Sequence, residues 1–128
     1  MDPISDFLTT IRNGTMVAKP FVVVYYSKMK NAIAFILKDE GFIKDFQLYE
    51  ENNKKFLKVI LKYVGGESVI HEITRRSRPG RRKYVGFDNI APVIGKLGIS
   101  IITTNQGVIS QKQAKKYTVG GELLCTVW

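Results

Sequence analysis

The sequence predicts an α+β protein of two lobes: a two-layer α-β-α-β-β lobe over residues 1–64 and a β-rich lobe with a short helix over 65–128. Three observations lead there. Two early stretches, around 4–11 and 29–37, repeat apolar residues at helical spacing. Residues 55–63 alternate, so that Leu57, Val59, Leu61 and Tyr63 share one face of a strand. After Gly65-Gly66 the texture changes to short β-prone segments separated by glycine.

The elements follow in order. Asp2 before Pro3 reads as a helix start, with proline at the first helical position. Ile4, Phe7, Leu8 and Ile11 give that helix one apolar face, and Asn13-Gly14 reads as its stop. Residues 21–26 are β-branched and aromatic and read as a strand. Ser27 is placed to cap a second helix running to residue 40, with Met29, Ile33, Ile36 and Leu37 inward and Gly41 ending it. A hairpin is expected next: a strand over 43–49, a turn at Glu51-Asn52-Asn53, and a strand over 55–63. Beyond Gly65-Gly66 the reading is a strand over 68–74, a turn at Ser77-Arg78-Pro79-Gly80, and a short helix over 89–96. A strand over 99–103, a polar loop over 104–107, a helical turn or two over 110–117 and a final strand over 122–127 complete it.

Composition narrows function. The 128 residues are 45% apolar, which is globular composition. No apolar run approaches the roughly 20 residues that span a bilayer. The start, Met1 to Asp6, lacks the charged-then-apolar pattern of a leader, so the chain is expected to work where it is made, in a reducing cytoplasm or an organelle stroma or matrix. With one cysteine and one histidine, neither an internal disulfide nor a four-ligand Cys/His zinc site is available, and no cofactor is expected. Net charge is +9, divided as +3 over residues 1–64 (ten basic, seven acidic) and +6 over 65–128 (ten basic, four acidic). Five of the six arginines lie between Arg75 and Arg82. Such a surplus points to a polyanionic partner.

Catalytic readings find little to stand on. His71 has no triad-like neighbours in sequence, and Asp2 and Asp6, one helical turn apart, fit helix capping and dipole complementarity. Cys125, within Leu124-Cys125-Thr126-Val127, reads as a buried small residue. Gly95-Lys96-Leu97-Gly98 matches the loop by which KH domains hold a nucleic-acid backbone, but strand-like residues follow at once, so a helix ending is expected there. No catalytic activity is expected.

Nucleic acid fits better. Arg75, Arg76, Arg78, Arg81, Arg82 and Lys83 surround a Pro-Gly turn, and no acidic segment of matching size exists. Phosphates are the natural counterions for such a run, and arginine forks bind them in bidentate fashion. Tyr84 adds an aromatic face for stacking on a base or ribose. Thr103, Thr104, Asn105, Gln106 and Gly107 form a small polar loop suited to the shallow minor groove of RNA.

Beyond these single features, the chain resembles the bacterial small-subunit ribosomal protein S-eight family along nearly its whole length. The matching pieces are residues 2–13, Ser27-Lys28-Met29-Lys30, Glu40-Gly41-Phe42-Ile43, Ser77-Arg78-Pro79-Gly80 with Tyr84, Leu97-Gly98-Ile99, and Gly120-Gly121-Glu122 with Cys125. The resemblance implies two lobes, binding to the central domain of small-subunit ribosomal RNA, organisation of the subunit platform, and the neighbouring proteins S-five and S-twelve. In some bacteria it also implies repression of the family's own messenger. The family's RNA-reading loop, typically Ser-Thr-Ser-x-Gly, falls on residues 103–107, where Thr104 and Gly107 match and Asn105 puts an amide in place of a hydroxyl. Phosphate contacts are expected from the basic run, specific contacts from residues 103–107 and Tyr84, and secondary RNA contacts from Arg12, Asn13, Lys28 and Lys30.

Overall fold

The structure is a computed structural model that describes residues 2–86 and 98–128. The expected helix over 89–96 and most of the Gly95–Gly98 loop lie outside the described residues. The chain forms two compact units, Pro3–His71 and a second made of Asp2 with Glu72–Trp128.

In the first unit α1 spans Pro3–Met16, β1 Phe21–Tyr25, α2 Lys28–Asp39, β2 Ile43–Glu51 and β3 Lys54–Leu61. Helix α1 does not stop at Asn13-Gly14. It buries Ile4, Phe7, Leu8, Ile11 and Gly14 along one stripe. A Cβ on Gly14 would stand 2.6 Å from the Val22 side chain, so this glycine serves close helix–strand packing rather than termination. Helix α2 starts as expected, with Ser27 Oγ accepting from the Lys30 backbone N–H at 3.1 Å. It ends in a Schellman arrangement around Gly41 (φ +82°): Phe42 N donates to Leu37 O at 2.7 Å and Gly41 N to Lys38 O at 3.0 Å. Its inner face is Ile33, Ala34, Ile36 and Leu37. Met29, expected inside, is exposed; it lies in the first turn of the helix, ahead of the buried stripe that begins at Ile33.

The antiparallel sheet runs β1-β3-β2. Leu57, Val59 and Leu61 are buried on one face of β3, as the alternation requires. The other face carries a row of three rings, Tyr25, Phe56 and Tyr49, in register across all three strands with neighbouring centroids 5.4 Å apart. The β2–β3 turn places both Asn52 and Asn53 at positive φ, the twist a two-residue hairpin needs. Gly65-Gly66 forms the turn of a small hairpin, β4 (Tyr63–Val64) with β5 (Glu67–Ser68), that belongs to this unit. The strand expected over 68–74 is therefore broken. After His71 in an exposed bend, Glu72 exchanges two backbone hydrogen bonds with Trp128, and strand pairing resumes at β6, Ile73–Arg75.

The second unit contains β6, β7 (Tyr84–Val85), β8 (Ile99–Thr104), β9 (Gly107–Ser110), α3 (Gln111–Tyr117) and β10 (Gly121–Val127). Strand β10 is central, buried from Glu122 to Val127. It pairs with β8 on one side and with β6 and β7 on the other. Ile102, Ile109, Leu123 and Ala114 of α3 form a core on one face, with Val85 and Val119 packed against it. Each of the isoleucine and leucine side chains removed from water contributes roughly 1.5–3 kcal/mol.

Candidate nucleic-acid interface

Register decides which residues meet. Tyr84 pairs with Glu122, which pairs with Thr103, which pairs with Val108. Residues directly opposite in antiparallel strands share a face. The neighbouring row, Leu123, Ile102 and Ile109, points into the core beside α3, so the Tyr84–Glu122–Thr103 row occupies the opposite face. Tyr84 and Thr103 thus sit on one face with one strand between them, roughly 10 Å apart. Tyr84 is 68% exposed.

This close arrangement of β7, β10 and β8 depends on two glycines. A Cβ on Gly121 would fall 2.1 Å from Thr103 O, and one on Gly120 would fall 2.4 Å from Val85 O. Both obstacles are backbone and cannot swing aside.

Residues 103–107 close the β8–β9 hairpin, with Thr104 opposite Gly107 and Asn105-Gln106 at the tip. Asn105 and Gln106 keep negative φ and Gly107 takes φ +100°, a conformation that excludes other residues. The Thr104 hydroxyl donates to Gly107 O and accepts from Gln106 N, both at 3.0 Å. Thr104 therefore shapes the tip. The exposed amides of Asn105 and Gln106 are the donor and acceptor groups presented outward.

The basic run divides into two groups. Arg75 is not a surface cation: its side chain is 9% exposed, its Nε donates to Asp2 Oδ2 at 2.9 Å and its Nη1 to Leu124 O at 3.0 Å. Its place in the basic run suggests a phosphate contact, but burial of β6 against β10, which no charge count reveals, encloses it. Arg76 Nε donates to Thr126 Oγ1 at 3.0 Å, and Arg82 Nη1 pairs with Glu122 Oε1 at 3.0 Å. Arg78, Arg81 and Lys83 are exposed, with no side-chain partner among the described residues. Arg78 and Arg81 face each other across the Pro79-Gly80 turn through two backbone hydrogen bonds of 3.2 and 2.9 Å.

The first unit holds the remaining candidates. Lys30 Nζ donates to Tyr25 O at 3.0 Å, and Arg12 Nη1 lies 3.5 Å from Thr9 Oγ1. Asn13 and Lys28 are exposed, and Asn13 lines a shallow hollow of about 500 Å³ together with Thr10, Lys19 and Val23.

Two side chains were missed as site residues, Ser77 and Glu122. Both are buried, and Ser77 Oγ donates to Glu122 Oε2 at 2.5 Å. The signal existed: Glu122 is the single acidic residue after Asp88 and opens an otherwise apolar strand, where a charge must find a partner. Cys125 is fully buried, and burial pushes its thiol up to about 12, so it holds its proton at neutral pH. Among the described residues no group of three or more acidic, histidine or cysteine side chains is gathered for a metal, and no helix is long and apolar enough to cross a membrane.

Known proteins are similar to this chain along nearly its whole length. The family described as Ribosomal protein S8 matches residues 2–128. The small ribosomal subunit protein uS8 of Verminephrobacter eiseniae is 52% identical over 126 residues, covering 98% of this chain and 96% of that protein. The uS8c protein of Phaeodactylum tricornutum is 49% identical over 129 residues, covering 99% and 98%. The uS8 of Thermosipho africanus is 47% identical over 131 residues, again covering 99% and 98%. Matched from residue 2 to residue 128 and about half identical to these proteins, the chain belongs to the ribosomal protein S8 family.

Proposed function

We propose that this chain is a structural constituent of the small ribosomal subunit, acting there by binding rather than catalysis. It binds the central domain of the subunit's ribosomal RNA, helps organise the platform, and has S-five and S-twelve as protein neighbours. Arg78, Arg81 and Lys83 meet phosphates, with Arg82 and Arg76 beside them, and set position. Tyr84 and the tip over 103–107 read local RNA shape through stacking and through contacts to ribose hydroxyls and base edges. The contribution of Arg12, Asn13, Lys28 and Lys30 is secondary. The observation that carries this reading is the Tyr84–Glu122–Thr103 row, which brings an exposed ring, the hairpin tip and the base of the basic loop onto one face of one sheet.

The test compares affinity for a transcribed central-domain fragment with affinity for random RNA of equal length. The intact protein should discriminate between them. Asn105→Ala and Gln106→Ala should each lower the affinity for the fragment by about 1–3 kcal/mol and leave random RNA nearly unaffected. Equal weakening on both RNAs would remove the reading role. Thr104→Val makes a poorer test, since it also loosens the turn.

A further inference from the structure

An anion beside a phosphate-binding surface opposes binding, yet Glu122 stands at the base of the loop that carries Arg78 and Arg81. We infer that Glu122 is a positioning residue, whose carboxylate ties both ends of the basic loop to β10 so that Arg78 and Arg81 are presented to RNA in a fixed arrangement. This rests on the RNA-binding reading above.

One carboxylate reaches both ends of the loop. At its start, the buried Ser77 hydroxyl donates to Glu122 Oε2. At its end, Arg82 Nη1 donates to Glu122 Oε1 at 3.0 Å. Ser77 Oγ in turn accepts the Lys83 backbone N–H at 3.0 Å, so the two ends are also joined to each other. Backbone bonds flank the carboxylate along the same strand: Arg76 N donates to Leu124 O at 2.9 Å, and Leu123 N to Lys83 O at 2.8 Å. Between these ties only Arg78, Pro79, Gly80 and Arg81 project, closed by their own two-bond bridge.

The energetics favour a clamp over an incidental ion pair. Arg78 and Arg81 are like charges held within one tight turn, which an untied loop would let separate. A loop ordered before binding avoids the entropy of being ordered by the RNA. The Glu122 side chain is 11% exposed, so its charge is poorly screened and strongly held by its two donors. Arg82, with its side chain 55% exposed, still directs other N–H groups to solvent while one holds the loop.

The sign of one effect separates positioning from background charge. Glu122→Ala raises net charge from +9 to +10, which by electrostatics alone tightens binding to any polyanion. Positioning predicts the reverse for the structured target: affinity for a transcribed central-domain fragment should fall roughly tenfold, the cost of about one charged hydrogen bond. Heparin, a polyanion without RNA structure, should bind no more weakly than before. Glu122→Gln, which keeps a side-chain oxygen for one donor, should recover part of the loss. Ser77→Ala, which leaves charge unchanged, should weaken the fragment several-fold and keeps the test open if Glu122→Ala fails to fold. Amide exchange reads the clamp directly: Lys83 N–H should exchange faster in both Ala variants while Ile101 and Ile102 in β8 stay protected. Fragment affinity equal to or tighter than wild type in folded Glu122→Ala, or unchanged Lys83 exchange, overturns the inference. A wild-type protein that fails to prefer the fragment over random RNA instead overturns the RNA reading, while Lys83 exchange still reports whether Glu122 holds the loop.

Discussion

Residues 3–71 and residues 72–128 each contain ten basic residues, and their two sheets treat them differently. On the β1-β3-β2 sheet and the helix α2 beside it, several cations have company. Lys54 and Lys55 stand opposite Glu51 and Glu50 in the register, Lys38 pairs with Asp45 at 3.1 Å, and Lys58 lies 4.2 Å from the Phe21 ring centroid. In the β10-centred sheet the acidic residues near the basic run go inward. Asp2 holds Arg75 and Glu122 holds Arg82, while Arg78, Arg81 and Lys83 are left exposed at a turn. Equal totals of basic residues therefore leave unequal amounts of exposed, unpaired positive charge in the two sheets. What matters is whether the fold supplies counterions of its own.

The largest effect should separate these two regions directly. Replacing Arg78, Arg81 and Lys83 together by Ala should flatten the log–log dependence of RNA affinity on salt by roughly 2 to 3, at about 0.7–0.9 per phosphate contact. Replacing Lys54, Lys55 and Lys58 by Ala should leave that slope unchanged. Salt titrations of both triple variants measure it, and equal slopes would end the distinction between the regions.

Next in size is a test of geometry. Gly121→Ala should destabilise the protein by about 3 kcal/mol, because its Cβ meets the Thr103 carbonyl rather than a movable side chain. Urea unfolding reads the loss. A change of a few tenths would mean that β8 and β10 part easily.

How much of this was readable beforehand depended on whether the cause was local. The starts of α1 and α2, the Asn52-Asn53 turn and the alternation of β3 rest on nearest neighbours in sequence. Local signals failed where a distant partner decided. Gly14 reads as a stop but is a packing contact with Val22, and Arg75 reads as a surface charge but is enclosed between Asp2 and β10. Strand β9 went unread because its four residues, Gly107 to Ser110, carry too short a pattern alone and are held by β8. For the site, residue types named Tyr84 and the 103–107 loop, but their adjacency comes from pairing through Glu122, which no local pattern contains.

The smallest effect concerns pH in the first sheet. The hydrogen bond from Lys38, with a second from the Phe46 backbone N–H, lowers the Asp45 carboxyl below its ordinary value. A depressed folded-state value stabilises the fold above the unfolded carboxylate range and loses that contribution as pH falls through the folded value. In Lys38→Met the Asp45 titration, followed by NMR, should move upward, with a melting temperature at neutral pH nearly unchanged because the pair is exposed. An unmoved Asp45 titration would show that Lys38 does not act as its counterion.

The central claim is that RNA meets the β10-centred sheet through its basic loop and hairpin tip. Ultraviolet crosslinking of the intact protein to small-subunit RNA, followed by mass spectrometry of the crosslinked peptides, tests it most directly. Nucleotide adducts should map to the peptides covering residues 77–84 and 103–107. Adducts confined to the aromatic row of the first sheet, at Tyr25, Tyr49 and Phe56, would contradict it.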